Sequence, residues 1–259
     1  MFSLINSKLN TFRKKLLPKP TPCIIITRGR TGSHLLSSLF KNHPQIASHG
    51  EIITDNRLKN SAFQSNLNKE GVKQFVLKHF KRHGREKVNI IKLLYYQIEN
   101  DYAERYDIKN LNDMVQHLTN DKKIKIIHLK RKNKLATLLS IKTAAITGQY
   151  AANNKTAIES PRIELNYKEC LDEFNRIEEW ESYYDNIFSK HKIINVNYED
   201  LVNFRKNELD KIYKFLKVKD FELKSELKKQ NTASMNDRIS NYDDIKDKFK
   251  DTRWALLFE

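Results

Sequence analysis

The turn at residues 28–33, with the sequence RGRTGS, carries the side chains best suited to chemistry. It follows a β-branched run at residues 23–27 and precedes a stretch with helical spacing, so it joins a strand to a helix. A glycine-containing turn at a helix N-terminus presents free backbone N–H groups, and the helix dipole adds positive charge. The Ser33 hydroxyl can donate to a phosphate oxygen, and Arg28 and Arg30 can neutralise an anion. The pattern indicates an anion site, although an ordinary strand–helix turn that uses glycine for its geometry would look the same locally.

The turn does not match the phosphate-binding loop of nucleotide triphosphatases. That loop has the pattern G-x-x-x-x-G-K-[ST], in which the lysine contacts phosphate and the hydroxyl binds Mg²⁺. Here Gly32 is followed by Ser33 and His34, with no lysine. The sequence therefore favours an anion site that works without a metal. A kinase-like phosphoryl transferase is the alternative, and it would need a Walker-type lysine and a Mg²⁺ carboxylate, neither of which is in place.

Strands and helices alternate along the rest of the chain. Apolar β-branched runs predict buried strands, and apolar residues at helical spacing predict helices between them. The predicted strands are residues 23–27, 88–96, 124–129 and 193–198, and the main predicted helices are residues 68–83, 111–118, 134–151, 167–191 and 207–218. This alternation predicts an α/β fold with a central parallel sheet flanked by helices, in a single domain that spans residues 21–259.

The N-terminal segment, residues 1–20, is basic, has apolar side chains at roughly helical spacing and contains no acid. It is typical of an amphipathic helix, either on the surface of the protein or in contact with a membrane surface. It lacks the continuous apolar core and the cleavage site of a secretory signal. The chain has no run of about 18 apolar residues, so no membrane-spanning helix is predicted.

The net charge of the chain is +16. Such a charge reflects either a lysine-rich solvated surface or an anionic partner, such as a charged nucleotide, a membrane surface or nucleic acid. The basic residues are spread out apart from the N-terminal segment, so a non-enzymatic nucleic-acid-binding protein is the weaker alternative, and no nucleic-acid partner is expected. Cys23 and Cys170 lie far apart without metal-ligand spacing, so we expect free thiols in a reducing, cytoplasmic compartment.

A longer run that includes the turn has the spacing of a known donor-binding loop. It consists of RTGSHLL at residues 30–36, HP at residues 43–44 and GE at residues 50–51. This run resembles the 5′-phosphosulfate loop of sulfotransferases that use 3′-phosphoadenosine-5′-phosphosulfate (PAPS), and in particular their bacterial carbohydrate branch. The cytosolic branch instead has a lysine before its Ser-Gly pair. The resemblance implies a P-loop-like three-layer form of the predicted α/β fold.

Motifs later in the chain extend the resemblance. The run IIHLKRKN at residues 126–133, followed by Ser140, resembles the family's 3′-phosphate motif, in which an arginine ends a strand and a serine lies in the next helix. Further segments that resemble the family are VNYEDL at residues 196–201, FL at residues 215–216 and ISNYD at residues 239–243. The likeness covers about residues 22–254.

The resemblance implies PAPS as the sulfate donor and adenosine 3′,5′-bisphosphate as the product, with no metal. The residues implied to bind the donor are Arg28, Arg30, Thr31, Gly32, Ser33, His34, Arg131 and Ser140. Arg131 stands nine residues before Ser140 and Lys132 stands eight before it, and alternation along a strand means that only one of the two points into the site. We predict Arg131, because a guanidinium can pair a phosphate bidentately.

The resemblance also implies the chemistry and the acceptor. Glu51 is implied to be the base that takes the proton of an acceptor hydroxyl, and His43 and His49 are alternatives by their intrinsic pKa. Arg30 is predicted to stabilise the bridging oxygen of the leaving group electrostatically. The branch implies a sugar or glycolipid-like acceptor.

Two more polar residues are predicted to face the acceptor. Lys92 is charged within an apolar predicted strand, where a lone lysine is costly to bury, so it either points at an anion or a carboxylate or reaches solvent at the strand end. Gln97 follows that strand and is predicted to contact the acceptor.

Overall fold

The computed structural model describes residues 17–149, 161–221 and 234–259. The strands within these ranges form one sheet in the order β2-β3-β1-β4-β5, and every pair is parallel. They are β1 Thr21–Thr27, β2 Ile46–Glu51, β3 Val88–Leu94, β4 Lys125–Lys130 and β5 Ile193–Asn197. The predicted central parallel sheet is therefore confirmed.

Helices cover both faces of this sheet. They are α1 Ser33–Lys41, α2 Asp55–Leu58, α3 Ser61–Glu70, α4 Val72–Lys78, α5 Asn100–Arg105, α6 Leu111–Asn120, α7 Lys134–Thr147, α8 Tyr167–Ile187, α9 Tyr198–Asn203, α10 Arg205–Leu216, α11 Met235–Arg238 and α12 Tyr242–Phe249. Two 3₁₀ turns, Tyr95–Ile98 and Ala255–Phe258, complete the described elements. None of the described helices combines the length and the apolar character needed to cross a bilayer.

The central strand shows why the fold has three layers. Along β1, side chains alternate between the two faces, and residues 23–27 are fully buried. Cys23 and Ile25 pack in the core that includes α1 and α10. Ile24 and Ile26 pack in the core that includes α4, α6 and α8. A strand buried on both faces requires a helix layer on each side, which confirms the predicted P-loop-like arrangement.

Two elements differ from the prediction. The strand β2 was not predicted, because its sequence IASHGE has no apolar run, and as an edge strand that pairs only with β3 it does not need one. The helix predicted at residues 68–83 corresponds to the end of α3 and to α4, which Gly71 separates with a φ of 85°, and residues 79–83 are not helical. Residues 150–151 of the predicted helix 134–151, and residues 1–16 of the N-terminal segment, lie outside the described ranges.

The parallel arrangement gathers the predicted site residues at one edge of the sheet. Because all strands run in the same direction, the turn after β1, the end of β2, the end of β3 and the end of β4 meet at the edge where strands finish, which we call the carboxyl edge. In the strand order, β2 and β3 lie on one side of β1, and β4 and β5 lie on the other. The strand order therefore reverses direction at β1. Ligands of open α/β sheets bind in the crevice at such a point.

Candidate functional site

The turn between β1 and α1 is held by hydrogen bonds of two buried threonines. The Thr27 and Thr31 side chains are buried, and their Oγ1 atoms lie 2.5 Å apart. Thr27 Oγ1 also lies 2.6 Å from the carbonyl oxygen of Leu129 in β4. Gly32 is the N-cap of α1 with a φ of 84°, and Ser33 is the first residue of the helix. The turn therefore has a defined shape before any anion binds.

Gly32 is needed for space as well as for its φ. A Cβ atom at this position would overlap the ring of Tyr198, the first residue of α9. We expect Gly32→Ala to lower the free energy of unfolding by about 3 kcal/mol or more, because it combines left-handed strain with a ring displacement. Denaturant unfolding measures this. The matched control is Gly148→Ala, which has a φ of 68° but no described atom within 4 Å of the added Cβ, and it should lose only about 1–2 kcal/mol. Equal losses for the two variants would contradict the packing argument.

Arg30 connects the turn to helix α7. Its backbone has a φ of 69°, and its Nε donates to Ser140 Oγ at 3.0 Å. Its carbonyl oxygen accepts a hydrogen bond from Nη1 of Arg131 at 3.1 Å. Arg30 therefore contacts both residues that were predicted to hold the 3′-phosphate, and the two predicted anion sites are continuous.

Arg131 and Lys132 face different surroundings. The guanidinium of Arg131 lies 4.7 Å from the ring centre of Tyr198, and its buried Nε has no hydrogen-bond partner among the residues that the structure describes. Burial lowers the pKa of Arg131. The Lys132 side chain is exposed, and its Nζ lies 3.1 Å from Asp200 Oδ1. Arg131 therefore lies against the turn, whereas Lys132 pairs with a surface carboxylate.

The sequence motifs missed one cation of this group. Arg238, at the end of α11, donates from Nη2 to Oγ1 of Thr143 at 3.1 Å, and Thr143 lies one helical turn after Ser140. Its buried Nε also lacks a partner among the described residues. Burial, and then the charge of Arg131, lower the pKa of Arg238. The signal in the sequence is its position directly before the ISNYD segment at residues 239–243.

These contacts describe an anion site that is partly assembled. The charge of Arg131 disfavours the charged form of Arg238, and each of the two buries an Nε–H group that has no acceptor among the described residues. Both features are costly in a folded protein, and an anion with several oxygens would relieve both. A phosphate group suits this arrangement, because arginine pairs with phosphate through parallel hydrogen bonds.

Arg28 is held away from these groups by helix α8. Its Nε and Nη2 donate to Glu173 Oε1 at 3.0 and 2.9 Å, and its guanidinium lies 5.4 Å from the ring centre of Trp180. To contact the donor as predicted, Arg28 would have to break its ion pair with Glu173, or bind Glu173 and the donor at the same time.

Glu51, Lys92 and Gln97 come together on the other side of the turn. Glu51 Oε2 lies 2.9 Å from Lys92 Nζ, and Glu51 Oε1 accepts from Gln97 Nε2 at 2.7 Å. Gln97 also donates to the carbonyl oxygen of Ile53 and accepts from the backbone N–H of Leu94. The Lys92 side chain is 3% exposed and that of Glu51 is 19% exposed. Lys92 thus points at a carboxylate, and Glu51 is held by two neighbours while part of its side chain stays accessible to solvent.

A β-bulge aims Glu51 at Lys92. Ser48 pairs with Ile90, but the next pair is Glu51 with Lys92, so β2 has one more residue than β3 between them. The extra length includes Gly50, whose φ is 64°. Without the bulge, Gly50 would lie opposite Lys92 and Glu51 would turn to the other face of the sheet. Sequence patterns do not reveal this bulge.

The histidines occupy three different places. His34, in the first turn of α1, is exposed, and its pKa is lowered to about 4, chiefly by desolvation, with Lys92 adding to the shift and Glu51 opposing it. His43 is buried against Tyr213 at the opposite edge of the sheet, so it cannot serve as the base. His49 packs beside other histidine rings, and burial lowers its pKa.

Known proteins resemble this chain over most of its length. A family model described as "Sulfotransferase family" matches residues 22–222. Nodulation protein H of Rhizobium tropici is 24% identical over 94% of this chain and 95% of its own. Nodulation protein H of Rhizobium meliloti is 22% identical over 93% and 96%. Among solved structures, the sulfotransferase domain from the curacin biosynthetic pathway is 16% identical with a TM-score of 0.48, covering 83% of this chain and 81% of its own.

Proposed function

Because this chain belongs to the sulfotransferase family, we propose that it transfers the sulfuryl group of PAPS to a hydroxyl of a carbohydrate or glycolipid-like acceptor. The family model covers most of the chain and includes the turn after β1, Glu51 and Arg131. The carbohydrate acceptor is inferred from the resemblance of residues 30–51 to the bacterial carbohydrate branch. The family makes this chain a sulfotransferase, and PAPS as the donor and a carbohydrate as the acceptor are what we propose for it.

One observation carries this proposal. Arg131 beside the turn and Arg238 on Thr143 of α7 each bury an Nε atom that has no partner among the described residues, while the partly exposed carboxylate of Glu51 ends β2. A donor with phosphate at each end of a nucleoside would use the cations and the turn together. The acceptor hydroxyl would then approach from the side of Glu51.

The proposed reaction is an in-line displacement at sulfur. The acceptor oxygen forms a bond to sulfur, and the bond between sulfur and the bridging oxygen breaks, so the bridging oxygen leaves on the 5′-phosphate of adenosine 3′,5′-bisphosphate. The acceptor proton passes to Glu51. Negative charge grows on the bridging oxygen, where the backbone N–H groups of residues 31–33 and the guanidinium of Arg30 can stabilise it. In this scheme arginines supply the positive charge, and no step uses a metal.

Lys92 and Gln97 have a second proposed role beside their predicted acceptor contacts. Both hold Glu51 by direct contacts of 2.9 Å or less, so they fix the orientation of its carboxylate. A base held in one geometry needs no reorganisation when the acceptor arrives, which is the usual advantage of a preorganised site. We propose His34, in the first turn of α1, as a further hydrogen-bonding group on the donor side of the site.

Ligand-induced thermal stabilisation tests the donor assignment without an acceptor. Adenosine 3′,5′-bisphosphate at about 100 times its Kd should raise the Tm by on the order of 5 to 10 °C, because it binds only the folded chain. ATP with Mg²⁺, duplex DNA and adenosine 5′-monophosphate should give much smaller shifts. A larger shift with ATP and Mg²⁺ would favour the kinase-like alternative, and a larger shift with DNA would favour a nucleic-acid-binding protein. An acceptor screen with labelled PAPS then identifies the sugar.

A further inference from the structure

A tyrosine and a histidine that take no part in the proposed reaction form a hydrogen bond beneath the candidate site. The Tyr95 hydroxyl lies 2.6 Å from Nε2 of His128, and both side chains are fully buried. Nδ1 of the same histidine lies 2.7 Å from Oδ1 of Asp185 in α8. Because an ionised carboxylate can only accept, Nδ1 carries the proton, and Nε2 accepts from the tyrosine hydroxyl. The three side chains therefore form one directed chain of hydrogen bonds.

Burial favours the neutral form of both Tyr95 and His128. Desolvation, and then the charge of Lys130, lower the pKa of His128 to about 4, although the contact with Asp185 opposes the shift. Desolvation also raises the pKa of Tyr95 well above its usual value. Asp185 pairs with Lys130 Nζ at 2.6 Å, which favours the ionised form of its carboxylate. A neutral phenol that donates to a neutral imidazole holds a position and transfers no proton.

The hydrogen bond between Tyr95 and His128 crosses the central strand of the sheet. Tyr95 directly follows β3, His128 lies in β4, and β1 pairs with both of these strands. His128 is in register with Ile26, which packs in the core that includes α8. The contact thus joins two strands on either side of β1, where the strand order reverses and where ligands of open α/β sheets bind.

Tyr95 begins the 3₁₀ turn that carries Gln97, and α8 holds this turn at its first residue. The Tyr184 hydroxyl of α8 donates to the carbonyl oxygen of Tyr95 at 2.8 Å, and the two rings stack with their centres 4.8 Å apart. Within the same turn, Gln97 donates to Glu51 Oε1 at 2.7 Å. A continuous path of contacts therefore runs from α8 through this turn to the carboxylate that we propose as the base.

The polar character of this network needs a reason other than stability. The residues around His128 in β4 are Ile126, Ile127 and Leu129, and each of them is fully buried. A buried hydrogen bond replaces hydrogen bonds to water, so an apolar pair of the same shape can stabilise a core equally well. A buried polar network whose groups are all satisfied does something else, because it fixes one arrangement of the segments that it joins.

We propose that Tyr95 and His128 are positioning residues for sulfuryl transfer, which hold the 3₁₀ turn so that Gln97 keeps the Glu51 carboxylate oriented toward the acceptor hydroxyl. This inference rests on the proposed function, because it requires Glu51 to be the base. Both residues are fully buried, so they act through the turn and not by touching the donor or the acceptor. The proposed 3′-phosphate site depends on Arg131, so donor binding should not need the network.

The variant Tyr95→Phe removes the hydroxyl and keeps the ring that stacks on Tyr184. It should lower kcat about tenfold, because a small displacement of a reacting group slows a reaction strongly, and should change Kd for adenosine 3′,5′-bisphosphate less than about twofold. The matched control is His191→Leu, which removes a buried hydrogen bond to the carbonyl oxygen of Leu118 at the opposite edge of the sheet. This control should lower Tm by a similar amount and leave kcat unchanged.

A double-mutant cycle with Glu51→Gln separates positioning from a loss of stability. Without a carboxylate to orient, adding Tyr95→Phe to Glu51→Gln should lower kcat by less than about twofold, whereas it still lowers Tm. Tenfold losses of kcat in both backgrounds would overturn the proposal. So would an unchanged kcat in the single variant Tyr95→Phe, or an equal loss of kcat in His191→Leu.

Hydrogen exchange measures the turn without any turnover. The backbone N–H of Leu94 donates to Gln97 Oε1 at 2.9 Å, so a looser turn should speed its exchange by about tenfold or more in Tyr95→Phe and not in His191→Leu. Unchanged exchange at Leu94 would overturn the proposal. A folded, unmodified chain that transfers no sulfuryl group would instead refute the proposed function, and the exchange at Leu94 would still decide whether Tyr95 holds the turn.

Discussion

Replacing Glu51 with glutamine should lower the turnover number by about two orders of magnitude or more. The amide keeps the shape of the side chain but cannot take a proton from the acceptor hydroxyl. The contacts with Lys92 and Gln97 hold the carboxylate in one place, so no neighbouring acid replaces it without a rearrangement. The measurement is steady-state kcat with labelled PAPS, and Kd for adenosine 3′,5′-bisphosphate should stay nearly unchanged.

The effect of Glu51→Gln on the free energy of unfolding must be distinguished from its effect on the turnover number. Glu51→Gln leaves the buried Lys92 ammonium without its charge partner, which should cost a few kcal/mol of unfolding free energy. The double variant Glu51→Gln, Lys92→Met removes both charges and should recover most of that stability but none of the turnover. Glu70→Gln, at an exposed ion pair with Lys78, is the control and should retain full turnover. A folded Glu51→Gln variant with near-normal turnover would remove Glu51 from the mechanism.

Replacing Arg131 or Arg238 with methionine should weaken adenosine 3′,5′-bisphosphate binding by roughly 10- to 100-fold each. Both guanidinium groups bury an Nε atom that has no partner within residues 17–149, 161–221 and 234–259, so we expect the ligand phosphate to supply hydrogen bonds that these residues do not. Because both residues are predicted to contact the same phosphate, their effects should not be additive. Isothermal titration of each single variant and of the double variant measures the coupling.

Two controls assign the effect to the 3′-phosphate. Adenosine 5′-monophosphate lacks that phosphate, so its weak binding should be the same in the unmodified chain and in both variants. Lys132→Met should change neither ligand's affinity much, because Lys132 pairs with Asp200 at the surface. A loss with Lys132→Met as large as that with Arg131→Met would reverse the assignment, and an unchanged Arg238→Met variant would remove Arg238 from the site.

The fold was largely predictable from local patterns. Buried parallel strands such as residues 23–27 must be apolar along their whole length, and this makes them visible in the sequence. The edge strand β2 was missed because one of its sides faces no other strand, so its composition stays polar. The break at Gly71 was missed because helical spacing of apolar residues continues across it.

For the site, the sequence by itself determined the types of chemical group and the edge of the sheet at which they gather. The turn around Gly32 and the order of the strands follow from local composition, because backbone conformation and burial act over short stretches of chain. Only the tertiary structure decided which groups touch: the bulge at Gly50 turns Glu51 to Lys92, and α11 brings Arg238 to Thr143 of α7. Those contacts join segments far apart in the chain, and they depend on register and packing, which no local pattern of residues encodes.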